Sequence, residues 1–312
     1  MTAPQTHGRG AGRSRLVEEI EEILRRQFGW NEVMMSNIMW RFIGVDVNAF
    51  LDYGIDPNAW LQTLSNLSIN DPYWLGVQDG DLYIRKRNQR IDMEMHTTNP
   101  IDAVFFAILM RTITTPSIDF SWTCKRRICL SAHYRLSLER WPWYGMDYRI
   151  ISNFDTNNVL KYIAGLIDTD GTVSSHYVKQ SGGYRLEIRI YACRKCVNVL
   201  MYVRDVIYER LGVEGRVLVR EDDSALQFRN YQAVELLRRI RQYVAHPLKR
   251  LNAETYLKYY NKVLTVKEYR HLREQLKYNN NGNNDPKRCR LTDMLTRAAP
   301  QTHTHGERFK NN

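Results

Sequence analysis

Two aspartates one residue apart, Asp168 and Asp170, close a nine-residue string at 163–171 that reads IAGLIDTDG. The residues before them are apolar or small, so the string reads as the end of a buried helix. The carbonyl end of a helix carries partial negative charge, which disfavours further anions. Acids placed there need something to offset them, and a hard divalent cation, which prefers oxygen ligands, would do so. Ala164 and Gly165 are small enough to let a second helix approach closely, while Leu166 and Ile167 fill the core on either side. Gly171 supplies the permissive backbone that a tight helix exit favours. Taken alone, the four residues DTDG fit an ordinary helix C-terminus equally well.

The elements that would position these acids follow from hydrophobic periodicity. Around the string, an apolar helix is expected over 159–167 and a strand over 172–178. Residues 184–191 alternate, with Leu186, Ile188 and Ile190 on one face and Arg185, Glu187, Arg189 and Tyr191 on the other, the pattern of a half-buried strand with a charged open face. A helix to about Gly212, strands over 216–220 and 225–229, and a helix over 233–240 complete this half. The stretch before it has the same order. A helix reaches Asp79, strands cover 82–86 and 90–96, a helix covers 101–113, and strands cover 118–123 and 128–133 around the basic turn Lys125-Arg126-Arg127. The fold class read from this is α+β, two pseudo-symmetric αββαββα repeats. Two four-stranded sheets side by side, each with one apolar and one polar basic face, would make a saddle that fits a DNA duplex. The divisions expected are a flexible basic arm at 1–15, a helical N-terminal extension at 16–70, repeats at 71–150 and 151–278, and a polar, Asn-rich disordered tail at 279–312.

The string at 163–171 resembles the LAGLIDADG motif of homing endonucleases at seven of its nine positions. In single-chain members of that family two motif helices pack along a pseudo-twofold axis, each supplying one metal-binding acid. A second, degenerate copy fits at 74–82, WLGVQDGDL, which keeps Gly76, Asp79 and Asp81 and lies 89 residues upstream. The resemblance implies that Asp81 and Asp170 bind the metal and catalyse. It also implies that the carbonyls of Gly80 and Thr169 complete the shell, that Gly76, Ala164 and Gly165 form the helix interface, and that Asp79 and Asp168 are structural. Lys249 is the positional match for a lysine that orients water. The expected activity is hydrolysis of a long double-stranded DNA target with Mg²⁺ or another divalent metal such as Mn²⁺. DNA contacts are expected from the open strand faces, at Arg85, Arg87, His96, Arg185, Arg189, Gln227 and Arg229, and from Lys125, Arg126 and Arg127. Leu82 stands where the motif has Gly. Leucine does not readily take a left-handed conformation, so a distorted first half-site is expected, with nicking, or binding without cutting, still open. The alternatives are an RNA-binding intron maturase on the same surface, with intron RNA as partner, or a DNA-binding protein that does not cleave.

Bulk composition agrees with a polyanion partner. The chain has 312 residues, 43% hydrophobic content and a formal net charge of +11, with Arg outnumbering Lys. Such an excess suits nucleic acid or an anionic membrane surface, and the planar guanidinium tilts the balance to nucleic acid. No apolar run approaches a membrane span, so no membrane partner is expected. A monomer inside the cell is expected, in cytoplasm or an organellar matrix. Five cysteines with no secretory signal suggest reduced thiols. Cys193 and Cys196 form the one CxxC, which by itself is weak evidence for zinc.

Overall fold

A computed structural model describes Ser36, Trp40 and residues 44–97, 100–113, 117–122 and 128–277. The basic arm, the helix read at 16–28, Lys125, Arg126 and Arg127, and the polar tail lie outside the described residues. Before the first repeat stand two short helices, α1 (Val47–Leu51) and α2 (Ala59–Ser65).

The first repeat runs α3 (Tyr73–Asp79), β1 (Leu82–Arg87), β2 (Arg90–Thr97), α4 (Pro100–Arg111), β3 (Ser117–Trp122) and β4 (Ile128–Ser137). The second runs α5 (Thr156–Asp168), β5 (Gly171–Val178), β6 (Gly183–Cys193), α6 (Val197–Leu211), β7 (Arg216–Val219), β8 (Asp223–Arg229) and α7 (Asn230–Ile240). Each repeat makes one antiparallel sheet, in the orders β1-β2-β4-β3 and β5-β6-β8-β7. The same order in both sheets is the repeat seen in three dimensions.

Strand parity does what the alternation required. Ile91, Met93 and Met95 of β2 and Leu186, Ile188 and Ile190 of β6 are buried in one apolar core. Their neighbours in sequence face the other way, because side chains alternate along a strand. The second repeat is closed by α8 (Pro247–Tyr260) and α9 (Val266–Leu276). His246 caps α8, and Thr265 and Glu268 form a capping box on α9, a reciprocal pairing that satisfies two orphan amides.

The two repeats end differently. In place of a closing α-helix the first has 3₁₀ turns at Leu138–Arg140 and Tyr148–Asn153. Pro142 and Gly145 lie between them, and neither residue favours a helix interior. Gln78 accounts for this region's attachment and for one departure from the motif. Its carbonyl accepts from Trp141 Nε1 at 2.8 Å, and its amide donates to the carbonyls of Trp143 and Met146 at 3.1 and 3.2 Å.

The expectation of reduced thiols needs correction. The end of β6 and the turn after it bring the Cα atoms of Cys193 and Cys196 to 5.2 Å, and the two are joined as a disulfide. That separation lies in the range a disulfide requires. No described helix is long and apolar enough to cross a membrane.

Candidate active site at the meeting of two helix ends

The two motif helices, α3 and α5, are packed backbone to backbone. A Cβ on Gly76 would lie 2.1 Å from the carbonyl oxygen of Tyr162 and 3.1 Å from Gly165 Cα. A Cβ on Gly165 would lie 2.1 Å from the carbonyl oxygen of Tyr73 and 3.1 Å from Gly76 Cα. Gly76 and Gly165 are the same position in the two motifs, so the crossing point is itself symmetric. Ala164, also expected at this interface, is fully buried in α5.

A second symmetric pair locks the crossing. Tyr73 donates its hydroxyl to Asp168 Oδ2 at 2.8 Å, and Tyr162 donates to Asp79 Oδ2 at 2.9 Å. Each tyrosine immediately precedes its own motif and reaches the first aspartate of the other. The backbone amide of Ala245 also donates to Asp168, at 2.6 Å. Burial raises the carboxyls of Asp79 and Asp168 to about 6, the tyrosine hydroxyls opposing the shift. The sequence offered a faint signal for these tyrosines, an aromatic residue at the same offset before both strings.

Both helices leave their last turn at the same motif position. Gly80 has φ −92° and ψ −118°, and Thr169 has φ −93° and ψ −88°. The chain therefore turns two residues before the motif's last position, and neither Leu82 nor Gly171 has a positive φ. This removes the reason given for distortion at Leu82. Gly171 is small for another cause: a Cβ there would lie 2.4 Å from Ile167 Cα. Leu82, its equivalent, is buried in the core.

The exits bring the second aspartates together. Asp81 and Asp170 lie close enough for each to shift the other's titration. Asp170 is half-buried, and burial together with the neighbouring Asp81 charge lifts it to about 7. The surrounding protein raises Asp81 too, against the pull of the Lys249 ammonium, although its side chain stays exposed to solvent. Gly80 permits this approach. A Cβ there would lie 2.1 Å from Thr169 Oγ1 and 3.3 Å from Asp170 Oδ2.

Lys249 stands beside the acids, its charge acting on Asp81 and Asp170. Its ammonium donates to the carbonyls of Ile167, Asp168 and Thr169 at 2.7, 2.9 and 3.1 Å. A lysine has three donors, and all three are used on the end of α5. Thr169 Oγ1 donates to the carbonyls of Gly165 and Leu166, at 3.0 and 3.2 Å. The last carbonyls of the helix, which have no partners within it, are thus satisfied by one lysine and one threonine. Lys249 holds the helix end and the carbonyl of Thr169 in place. His246, which caps α8 below it, is held at 3.0 Å from Asp102.

Two neighbouring carboxylates, open to solvent in part and with backbone carbonyl oxygens beside them, fit a hard divalent cation. The Gly80 and Thr169 carbonyls lie next to them in the chain, the latter already accepting from Lys249. Among the described residues no three His, Cys, Asp or Glu side chains cluster to hold a metal. A cation here would therefore draw its remaining ligands from carbonyls, water or a bound phosphate.

This arrangement predicts a specific pH dependence. In the metal-free protein the folded pKa values of Asp170, Asp79 and Asp168 exceed the unfolded value near 4, so the folded state binds more protons between pH 4 and 7. Stability must then fall as pH rises through that window, by on the order of a few kcal/mol in all. A cation held by Asp81 and Asp170 would compete with the proton on Asp170. Added Ca²⁺ should therefore raise the melting temperature clearly at pH 8 and hardly at all at pH 5, as read by scanning fluorimetry. Equal shifts at both values would contradict metal binding by this pair.

The expected DNA contacts divide into two sets. Arg85, Arg185 and Arg229 are exposed on open strand faces. His96 is exposed and lies 3.2 Å from Glu94. Arg87 and Arg189 are each paired with an acid, Asp92 and Glu187. Gln227 is a correction: it is only 3% exposed, and its amide donates to Glu187 rather than outward. Burial by its cross-strand neighbours was not visible in strand parity, which shows the face and not the crowding on it.

No family model and no curated protein matches the chain. Among solved structures it is similar to the homing endonuclease I-WcaI bound to its DNA recognition sequence, at 12% identity and a TM-score of 0.44, covering 61% of this chain and 91% of that one. It is similar to the LAGLIDADG homing endonuclease I-GzeII in complex with a DNA target, at 11% identity and a TM-score of 0.43, covering 67% and 98%. It is also similar to the N-terminal LAGLIDADG domain of DUF199/WhiA, at 13% identity and a TM-score of 0.38, covering 60% and 91%.

Proposed function

We propose that this protein is a site-specific, metal-dependent endonuclease that hydrolyses both strands of a DNA duplex. The observation that carries the reading is the closeness of Asp81 and Asp170, each shifting the other's titration, at two helix ends whose glycines, tyrosines and exits correspond position by position. Holding two carboxylates close together is costly, because like charges disfavour each other's ionised form.

Phosphodiester hydrolysis at neutral pH needs an activated water, neutralised phosphate charge and support for the leaving oxygen; a divalent metal bound by carboxylates supplies these when present. The chain's own contribution is placement. Asp81 and Asp170 hold negative charge at the centre of the symmetric pair, where the two strands of a duplex lying across both sheets come within reach. Lys249 and Thr169 keep the end of α5 from fraying, which fixes Asp170. Tyr73 and Tyr162 tie each helix to the other, so the distance between the acids is set by the crossing. The exposed arginines of the two sheets, with the net charge of +11, suit the phosphate backbone.

The test is a cleavage assay on a pool of duplexes carrying candidate insertion sites, with Mg²⁺, Ca²⁺ or EDTA. Double-strand cutting in Mg²⁺ that stops in EDTA is the expected result. Sequence-selective duplex binding with no cutting in any divalent metal would show a binding protein instead, and preference for structured RNA over duplex would show a maturase.

A further inference from the structure

The open faces of the two sheets carry acids where a phosphate-facing surface would be expected to avoid them, and these acids correspond. Leu82 and Gly171 occupy the same motif position; Leu82 pairs with Met95 and Gly171 with Ile190. Three residues back along the partner strands stand Asp92 in β2 and Glu187 in β6. The fourth strands agree, since Asp92 pairs with Arg135 and Glu187 with Arg229. One carboxylate therefore sits at the same site on each half of the open surface.

Both acids are engaged with basic or amide groups on that same face. Asp92 meets Arg87 Nε at 2.6 Å and Arg135 Nε at 3.3 Å. Glu187, only 6% exposed, accepts from Arg189 Nε and from the Gln227 amide, with His176 Nδ1 at 4.0 Å. Arg189 is steadied further by Tyr191, whose hydroxyl accepts from Nη1 at 3.4 Å. An unpaired arginine is free to follow any phosphate. One whose Nε is fixed by a carboxylate has its orientation set before the ligand arrives, and less freedom is lost on binding. The guanidinium's remaining donors match the O6/N7 edge of guanine in the major groove.

We propose that Asp92 and Glu187 are positioning residues for base selection, which aim Arg87 and Arg189 at base edges while the uncoupled Arg85, Arg185 and Arg229 serve the phosphates. This rests on the reading that the open faces bind duplex DNA. It predicts two guanine-preferring positions, one in each half of the target, flanking the cleavage centre.

The experiment is selection from a random duplex library in Ca²⁺ by the full chain, by Glu187→Gln and by Asp92→Asn, with a salt titration of each on the selected site. Both substitutions keep shape and remove only the charge. Glu187→Gln should lower guanine discrimination about 10-fold at a position in one half, Asp92→Asn should do so in the other, and neither should reduce the salt dependence. Arg85→Gln, the control, should weaken all sequences alike and lower the salt slope. An unchanged base profile in both acid variants overturns the proposal. So does a loss spread evenly over both halves, which marks a merely structural role. If the unsubstituted chain selects no sequence at all, the duplex-binding reading falls and this proposal with it.

Discussion

Asp170→Asn should abolish cleavage, by at least about 10³-fold, the scale on which groups acting only in the transition state are lost, while leaving duplex binding within a few-fold. Asparagine keeps the size of the side chain and one oxygen, but it takes away one of the two charges that a hard cation needs at this site. Folding should not suffer. Asp170 is raised to about 7 by burial and by Asp81, so at pH 8 the metal-free protein holds two neighbouring ionised acids. Removing one relieves that repulsion, and the melting temperature in EDTA at pH 8 should rise. The opposite signs are the test: activity lost and metal-free stability gained in one variant. Because Asp81 stands at the equivalent place, Asp81→Asn should behave alike. A variant that retains nicking of one strand would show that each acid serves chiefly one strand. A variant that cuts normally would sink the two-aspartate mechanism.

The largest effect on stability is expected at the helix crossing. Gly165→Ala and Gly76→Ala each add a Cβ that would stand 2.1 Å from a backbone oxygen of the other helix. No rotamer change relieves that contact, since the obstructing atom is a carbonyl inside a hydrogen-bonded turn. Overpacking usually costs about 1–3 kcal/mol and occasionally more; this geometry belongs at the upper end. For a chain of this size that corresponds to a fall in melting temperature of roughly 6–12 °C. Gly212→Ala is the matched control. Gly212 has φ +64° at the end of α6 and would have nothing within 4 Å of an added Cβ, so its cost is backbone strain alone, about 1 kcal/mol. If all three variants melt together, the crossing is looser than the distances require. If the crossing variants still fold, their cleavage should fall more steeply than their stability, because separating the helices separates Asp81 from Asp170.

These effects bear differently on what can be read from residues in order. The motif at 163–171, the alternation in β2 and β6 and the αββαββ order are local signals. A helix repeats every 3.6 residues and a strand every two, so each element carries its own pattern whatever it later packs against. The closing elements were harder to read. Nothing in the periodicity of residues 138–153 announced 3₁₀ turns held by Gln78, because that side chain's partners lie 63 to 68 residues away. The left-handed exit expected at the motif's glycine was a local inference that missed, since the constraint at Gly171 is the backbone of Ile167 and not φ.

By itself, then, the sequence determined which faces are apolar, the order of elements in each repeat up to its fourth strand and which acids end a helix, all consequences of neighbouring residues and their geometry. Only the tertiary structure decided that Lys249 spends its donors on the end of α5, that Tyr73 and Tyr162 cross to the opposite aspartates, that Glu187 and Gln227 are covered on an otherwise open sheet, and that Asp81 and Asp170 come close enough to shift one another. The physical reason is common to all four. Hydrogen bonds, burial and charge repulsion depend on distance in space, and chain separations of 40 to 95 residues leave no periodic trace of that distance in the order of the residues.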